Sequence, residues 1–368
     1  MTTHEPPRLR ISSPGDVAQL VPYLIGFVPQ DSLVLLVTRQ GRVEVTARAD
    51  IADVQPTGQA EHLIDRIWGR FPDADAFMVA YTDNRAHGWD LVERCRRHLP
   101  NGTEGHAMLV TGDTWHTEDG ASGEVDRFGA VAAQATLAGM VATRSRTDLE
   151  ATFTSPQHSE ELEHAVEVAA VKLPDVADTA GVVKRTRTLI ARYVPHDHSA
   201  PADHSPSRMP TDDAAQLALL GLNGAGRDTA LLSITRADAE QHLELWSAVV
   251  RSVPDSYAEA ATYLAGMAAW VTGDGAVANV ALSRSLAIAE QTGAQALAGL
   301  LDGLIDQVVP PTAWEQVRDQ ALSLTRPEVR QAIQPATTPR WENVPPPTSG
   351  PAPVRPHRTQ PPAAGIGI

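Results

Sequence analysis

Two consecutive strand-like segments near the N-terminus constrain the fold most. Residues 32–38 form a continuous apolar run of strand length, and residues 42–51 alternate apolar with polar side chains at period two. A fully apolar strand is typically buried on both faces, whereas an alternating strand keeps one face in water. Because Gln40-Gly41 provides a turn between the two segments, we predict a hairpin within a sheet.

Helical and strand-like patterns alternate after this hairpin. We predict a helix at 58–71, a strand at 76–82, a helix at 89–99 and a strand at 107–111. Strands separated by helices of about a dozen residues imply crossover connections and parallel neighbours. We therefore expect an α/β N-terminal domain, residues 9–193, with a mixed, largely parallel sheet. Further helices predicted at 126–143, 160–173 and 179–193 would cover it.

The second half, residues 211–330, is predicted to be an all-helical C-terminal domain. Ser256 with Glu259, and Thr312 with Glu315, have the spacing of capping boxes at helix starts. Helices predicted at 257–272 and 276–292, joined by Gly-Asp-Gly, resemble a single tetratricopeptide hairpin. Three tryptophans on apolar faces are expected to be core residues: Trp246, Trp270 and Trp314.

Two proline-rich segments interrupt the folded pattern. Residues 194–210 form a Pro/His-rich linker, and residues 335–368 hold ten prolines without apolar periodicity, which predicts a disordered Pro-rich tail. The tail is a possible docking segment for a protein partner, because polyproline is pre-extended. Whether the linker histidines bind metal is left open, with a solvated linker favoured: His196, His198 and His204.

Charge and cysteine usage narrow the function classes. The formal net charge of −15 argues against nucleic-acid or membrane partners, which require a basic face. Cys95 is the only cysteine, so the chain has no intramolecular disulfide and no thiolate-rich metal site. The polar N-terminus does not resemble a signal peptide, and we expect a cytoplasmic protein without a metal or cofactor.

The common catalytic signatures are missing from the sequence. It has no P-loop, dinucleotide-binding GxGxxG, HExxH or GxSxG motif. We therefore expect a non-catalytic protein that binds a small-molecule ligand or a protein partner, in a regulatory or scaffold role. The alternative is an enzyme acting on a small polar or phosphorylated metabolite, with Asp31, Asp83 and His87 as acid–base groups at the carboxyl ends of the sheet strands.

The candidate ligand-binding residues fall mainly at predicted strand ends. Asp31 and Ser32 precede the first strand, where a turn is the plainer interpretation and a polar cluster the functional one. Tyr81 and Asp83 close the third strand, and His87 follows with Asn84 and Arg85. Ligands of α/β sheets bind beyond the carboxyl ends of strands, so this loop is the best-placed polar set. As a potential metal-binding group, His116 with Glu118 and Asp119 is weaker still than the linker histidines.

Arg227 and Asp228 are the remaining candidates, in the helical half. Adjacent helical residues face different directions, so the two side chains are expected to serve different partners. Asp228 suits a helix N-terminus, and we predict that Arg227 pairs with a carboxylate. Lining of an interdomain cleft is an additional role left open for Arg227.

Several of these segments resemble an actinobacterial family known as domain of unknown function 4192. The resemblance covers most of residues 9–315 and is carried by residues 21–34, Tyr81-Thr82-Asp83, Ser145-Arg146, residues 212–217, Arg227-Asp228, Leu245-Trp246, residues 265–275 and residues 310–314. It implies the family's fold and a bacterial cytoplasmic setting, but no reaction. Family members commonly carry cysteines after a tryptophan, where this chain has only Trp115-His-Thr-Glu-Asp-Gly120.

Overall fold

A computed structural model describes residues 11–138, 140, 142, 146–154, 160–194 and 205–333. The predicted tail and the three linker histidines lie outside the described residues. The strands are β1 (Ser32–Arg39), β2 (Arg42–Asp50), β3 (Asp75–Tyr81), β4 (Gly105–Thr111), β5 (Thr114–Thr117) and β6 (Ser122–Glu124).

Helices precede, separate and follow these strands. In the first half they are α1 (Pro14–Ile25), α2 (Ile51–Val54), α3 (Gln59–Arg70), α4 (Arg85–His98), α5 (Ala130–Leu137), α6 (Arg146–Thr152), α7 (Glu160–Val171) and α8 (Thr179–Tyr193). In the second half they are α9 (Thr211–Leu222), α10 (Gly224–Ser233), α11 (Ala239–Val250), α12 (Asp255–Thr272), α13 (Gly275–Thr292), α14 (Gly299–Asp306), α15 (Trp314–Leu324) and α16 (Pro327–Ile333).

The sheet is mixed, but the prediction that it is largely parallel is wrong. Its strand order is β2-β1-β3-β4-β5-β6, and of the described pairings only β3 with β4 is parallel. Since β2 and β3 both run antiparallel to β1, the α3 crossover does join strands of the same direction, as crossovers require. The hairpin partner β1 lies between them, however, so the expected parallel pairing of β2 with β3 is replaced by an antiparallel pairing of β1 with β3.

The hairpin β5–β6 was not predicted, because its strands are short and polar. Trp115 is its one large apolar side chain, and it lies between α1 and β6. A Cβ atom on Gly15 would approach the Trp115 indole to 2.9 Å, and one on Gly123 to 2.8 Å. The helix predicted at 126–143 is present only as α5, since this hairpin and a loop precede it.

Each face of the sheet is covered differently. Helices α3 and α4 pack on one face around residues such as Leu35, Met78 and Leu109. The opposite face, with Val34 and Val79, belongs to a second and larger cluster that includes α1 and most helices of the second half. The described residues up to 333 fall in one compact unit. The predicted domain boundary at 194–210 stays a prediction.

The helical half follows the sequence pattern closely. Trp246, Trp270 and Trp314 are all buried, which confirms their expected place in the core. Gly273 adopts a left-handed conformation that ends α12, and the Asp274 carboxylate accepts a hydrogen bond from Val277 N to begin α13. The α12–α13 pair therefore has the turn that the tetratricopeptide-like pattern predicted.

Both predicted capping boxes are wrong. Helix α12 begins one residue before Ser256, and the buried Glu259 carboxylate accepts a hydrogen bond from Leu297 N instead. Likewise, Glu315 accepts from Arg236 N and bridges to another segment of the chain. In both cases the carboxylate that a local capping box would use accepts a hydrogen bond from a backbone N–H group that is distant in the sequence.

Cys95 is buried on α4, and burial raises the pKa of its thiol to about 12. Within the described segments, no helix has the length and apolar character needed to cross a membrane.

Candidate functional site

One end of the sheet brings together polar residues from three strands. Ser32 lies opposite Asp50 on β2 and opposite Tyr81 on β3 in the strand register. Directly opposed residues point to the same face. The sheet therefore places two predicted site residues, Ser32 and Tyr81, side by side, at the carboxyl ends of β2 and β3.

Ser32 is the buried centre of a hydrogen-bond network. Its hydroxyl donates to Gln30 O at 2.6 Å and accepts from Arg48 Nε and Nη2 at 3.0 and 2.8 Å. Arg48 also donates to both carboxylate oxygens of Asp50, and Arg146 Nη1 donates to Asp50 Oδ2 at 2.8 Å. This network ties α6 to the edge hairpin. Its groups already satisfy one another, which is the pattern of a structural cluster.

Asp31 is held in a strained turn beside this network. Its φ of 39° lies in the left-handed region, its carbonyl accepts from Ile51 N, and its carboxylate accepts from the Thr82 hydroxyl at 2.8 Å. The two resembling segments at 21–34 and 81–83 thus meet directly. Asp31 is therefore a turn residue whose carboxylate links the start of β1 to Thr82, just after the end of β3.

Tyr81 is the least satisfied member of this group. Its hydroxyl is fully buried and has no hydrogen-bond partner within the described residues. Burial raises the pKa of Tyr81 above its ordinary value, so the phenol stays protonated at neutral pH.

The loop after β3 caps α4. Asn84 Oδ1 accepts a hydrogen bond from His87 N at 3.2 Å, and so provides the side-chain cap. Asp83 is exposed and contributes only its carbonyl to the turn, accepting from Arg85 N. Neither the Asp83 carboxylate nor the His87 imidazole contacts Asp31, and the structure does not bring these three acid–base candidates together.

A groove opens between α4 and the β5–β6 hairpin, next to this loop. It has a volume of about 410 Å³, within the range of small-molecule sites. One wall is a face of α4, formed by Arg85, Trp89 and Glu93 at four-residue spacing. The other wall is the β5–β6 hairpin. Its lining residues are Arg85, Trp89, Glu93, His116, Thr117, Glu118, Gly120 and Ala121.

Arg85 gives the groove a positive charge that forms no ion pair within the described residues. The side chains of Arg85, Trp89 and His116 make no hydrogen bond or ion pair with any described residue. Partial burial and the nearby Arg85 guanidinium hold the pKa of His116 below its ordinary value, so its imidazole is neutral at pH 7. A neutral imidazole both donates and accepts hydrogen bonds.

Two carboxyl groups interact across the groove, Glu93 of α4 and Glu118 of the hairpin. Arg96 contacts both, with Nη2 at 3.0 Å from Glu93 Oε1 and Nε at 3.3 Å from Glu118 Oε1. Burial and the neighbouring Glu93 raise the pKa of Glu118, while hydrogen bonds with Glu118 and Arg96 lower the pKa of Glu93. Glu118 is therefore the member that keeps a proton as the pH rises.

Arg227 and Asp228 lie on α10, among helices of the second half. The predicted ion pair of Arg227 is wrong: its half-buried guanidinium pairs with no described carboxylate, and Asp228 instead bonds Arg326 Nη1 at 2.9 Å. Arg326, which follows α15, is thus the partner of Asp228. Burial raises the pKa of Asp228.

Sequence reasoning located the loop at 82–87 but missed the groove beside it. His116 and Glu118 were considered as part of a weak metal group. In the described part of the chain, no cluster of three potential metal ligands forms. The signal that was available is the spacing of Arg85, Trp89 and Glu93, which places three chemically different side chains on one helix face.

These features define a protein with a mixed sheet flanked by helices, an α-helical second half and a surface groove at the sheet. The chain belongs to the family described as "Domain of unknown function (DUF4192)", whose family model matches residues 14–312. No curated protein and no solved structure matches the chain.

Proposed function

We propose that this protein is a non-catalytic ligand-binding protein. Its groove between α4 and the β5–β6 hairpin takes a small polar molecule that carries a planar ring and a negatively charged group. The observation that carries this proposal is the set of three unpaired side chains at the groove, Arg85, Trp89 and His116.

The side chains of the groove define the ligand's chemistry. The planar guanidinium of Arg85 fits a carboxylate or phosphate, and the indole of Trp89 fits a flat ring. The carboxyl groups of the Glu93–Glu118 pair also line the groove and can accept hydrogen bonds from ring or exocyclic N–H groups. The volume of about 410 Å³ suits a molecule the size of a mononucleotide or an aromatic acid.

The strand-end network supports a structural role for the other candidates. The Ser32 hydroxyl is already hydrogen-bonded to Arg48 and Gln30. Asp31 is likewise bonded, through its carboxylate to Thr82 and through its carbonyl to Ile51. A general acid or base needs a free side chain within reach of a substrate proton. The groove meets that need better than the network does.

A thermal-shift screen tests the proposal, because a ligand that binds only the native state raises the apparent stability. The panel contains aromatic and non-aromatic carboxylates and phosphates. We expect planar anions to stabilise the wild type and Arg42→Ala, whose arginine is equally exposed and unpaired among the described residues, but not Arg85→Ala. A panel in which planar anions protect neither, or protect Arg85→Ala equally, would overturn the proposal.

An enzyme is the second candidate function, favoured by one observation. The neutral His116 beside the cationic Arg85 pairs a potential base with a group that stabilises a developing negative charge. Incubating a stabilising ligand with the protein and following it by NMR distinguishes the two functions. Conversion that is lost in His116→Gln and kept in His62→Gln supports the enzyme, and an unchanged ligand supports binding alone.

A further inference from the structure

The two edges of the sheet differ in length. Among the described strands, β2 and β6 stand at the ends of the strand order, so each pairs on one side only. Strand β6 has three residues, whereas β2 has nine. The outer edge of β2 therefore presents a row of backbone N–H and C=O groups that no described strand pairs with. A long free edge is a template for another strand, and proteins often protect such edges by shortening them or by placing charges on them.

The charges of β2 are complementary to those of the same strand read in reverse. The strand reads Arg-Val-Glu-Val-Thr-Ala-Arg-Ala-Asp, with Thr46 at its centre. If a second copy of β2 ran antiparallel about a two-fold axis at Thr46, Glu44 would lie opposite Arg48. In the same register, Arg42 would lie opposite Asp50. Each charged side chain of the strand would then face one of opposite sign, which stabilises a strand pair.

The neighbouring registers lack this complementarity. In an antiparallel pair only every second residue directs its N–H and C=O groups to a given edge, so a symmetric self-pairing has its axis at a residue. An axis one residue earlier than Thr46 would place Arg42 opposite Arg48. An axis one residue later would place Glu44 opposite Asp50. Like charges directly opposite each other are destabilising, so the charge order favours the register centred on Thr46.

The apolar residues of β2 favour the same register. Val45, Ala47 and Ala49 pack against the cluster beneath α3 and α4 but are only half-buried. With the axis at Thr46, Val45 of each copy would lie beside Ala47 of the other. The strand pair would therefore cover apolar surface as well as join charges.

A bulge in β2 spares the centre of this ladder. The β1–β2 register shifts between Val37 and Thr38, and Glu44 has no opposite residue on β1. From Val45 to Asp50 the pairing with β1 is regular. The three central pairs of the self-paired ladder involve only residues of this regular segment.

Contacts within the chain hold the edge charges in place without using them up. Arg39 donates to Oε1 of Glu44 through Nε and Nη2, and no described residue bonds Oε2 of this carboxylate. Arg48 is held by Ser32 and Asp50. Side chains that are already ordered lose less conformational entropy when they join an interface.

We propose that β2 pairs antiparallel with β2 of a second copy of this chain, about a two-fold axis at Thr46, and so joins two sheets into one. The occupant is a second copy because the charge order of β2 matches its own reverse. This edge lies at the opposite end of the strand order from the β5–β6 hairpin, so the proposal does not depend on the groove.

Sedimentation equilibrium measures the dimer directly. We expect the wild type to show twice the chain mass of 39.3 kDa and to dissociate on dilution. Glu44→Arg places like charges opposite each other at two symmetric positions, so we expect the dimer Kd to rise about tenfold or more. Glu240→Arg is the matched control, because Glu240 is exposed on α11 and the charge change is the same. It should leave the Kd unchanged.

Cross-linking through Thr46→Cys tests the register. Directly opposed residues of an antiparallel pair have Cα atoms about 4.5–5.5 Å apart, which suits a disulfide. The natural Cys95 is buried and does not compete. Val43→Cys is the control, since Val43 is 42% exposed but would face Ala49 of the second copy. Under mild oxidation we expect a covalent dimer of Thr46→Cys and none of Val43→Cys on non-reducing electrophoresis.

Three results would overturn the proposal. One is a wild type that stays monomeric at the highest concentration measured. Another is cross-linking of Val43→Cys as fast as that of Thr46→Cys. The third is a dimer that Glu44→Arg leaves unchanged and that Thr46→Cys does not cross-link, because such a dimer would use another surface.

Discussion

Ser32 of β1 is linked through its hydroxyl group to Arg48 of β2 and to Gln30 of the preceding loop. It is fully buried, and its hydroxyl accepts hydrogen bonds from Nε and Nη2 of Arg48. Removing the hydroxyl leaves a largely buried guanidinium under-satisfied. We expect Ser32→Ala to lower the free energy of unfolding by about 1–3 kcal/mol, measured from urea unfolding curves.

Ser323→Ala is the control for that measurement. Ser323 is exposed and bonds only the carbonyl of Gln320, one turn earlier in its own helix. Its removal should change the free energy of unfolding by less than about 0.5 kcal/mol. Equal losses in the two variants would show that the Ser32 network contributes nothing specific.

The pKa of His116 reports directly on the positive charge of Arg85 in the groove. A nearby cation disfavours the protonated imidazole, so the Arg85 guanidinium lowers the pKa of His116 in addition to the larger effect of burial. We expect NMR titration to place the pKa of His116 below the ordinary histidine value. In Arg85→Ala it should rise part of the way back. A pKa that does not move in this variant would mean that the two side chains do not share the groove.

Helix α4 lies close to the sheet because one of its positions is glycine. A Cβ atom on Gly88 would approach the Leu109 side chain to 2.6 Å and that of Thr82 to 3.0 Å. Overpacking of this kind typically costs about 1–3 kcal/mol, so Gly88→Ala should destabilise the protein by that amount in urea unfolding. The shift of α4 should also weaken ligand binding in the groove.

Gly69 on α3 is the matched control for this substitution. It is exposed, and an added Cβ atom would have no heavy atom within 4 Å. Alanine is a better helix former than glycine by up to about 1 kcal/mol, so Gly69→Ala should stabilise the protein. Opposite signs for the two variants are expected. The same sign in both would contradict the close packing of α4.

The periodicity of apolar residues predicted most helices and strands, because the burial of one face of an element determines where its apolar residues recur. The hairpin β1–β2, strands β3 and β4 and most helices of the second half were predicted from it. The strand order was not predicted, because the position of β1 between β2 and β3 depends on pairing between segments that are distant in the sequence. The groove escaped prediction for a related reason: His116 and Glu118 lie on a short polar hairpin that periodicity does not mark.

At the scale of the whole molecule, one apolar cluster extends from the sheet into the helical half. It contains Val34 and Val79 of the sheet as well as Trp246 and Leu264 of the helices. Arg284 adds a polar link, with two hydrogen bonds to Asp255 and one to Phe153 O at the end of α6. Elements that share one core are expected to unfold together.

We therefore predict a single cooperative unfolding transition. Far-UV circular dichroism, which follows the helices, and tryptophan fluorescence should give the same urea midpoint and the same slope. Two separate transitions would contradict the shared core and would support an independent boundary at residues 194–210.

The central claim is that the groove beside α4 binds a ligand, and the indole N–H signal of Trp89 tests it most directly. This signal is assigned in the two-dimensional ¹H–¹⁵N spectrum by its loss in Trp89→Phe. On titration with a planar anion that stabilises the protein, we predict that the Trp89 signal moves progressively to saturation. The indole signals of the buried Trp246 and Trp314 should stay in place. An unmoved Trp89 signal at saturating ligand would contradict the claim.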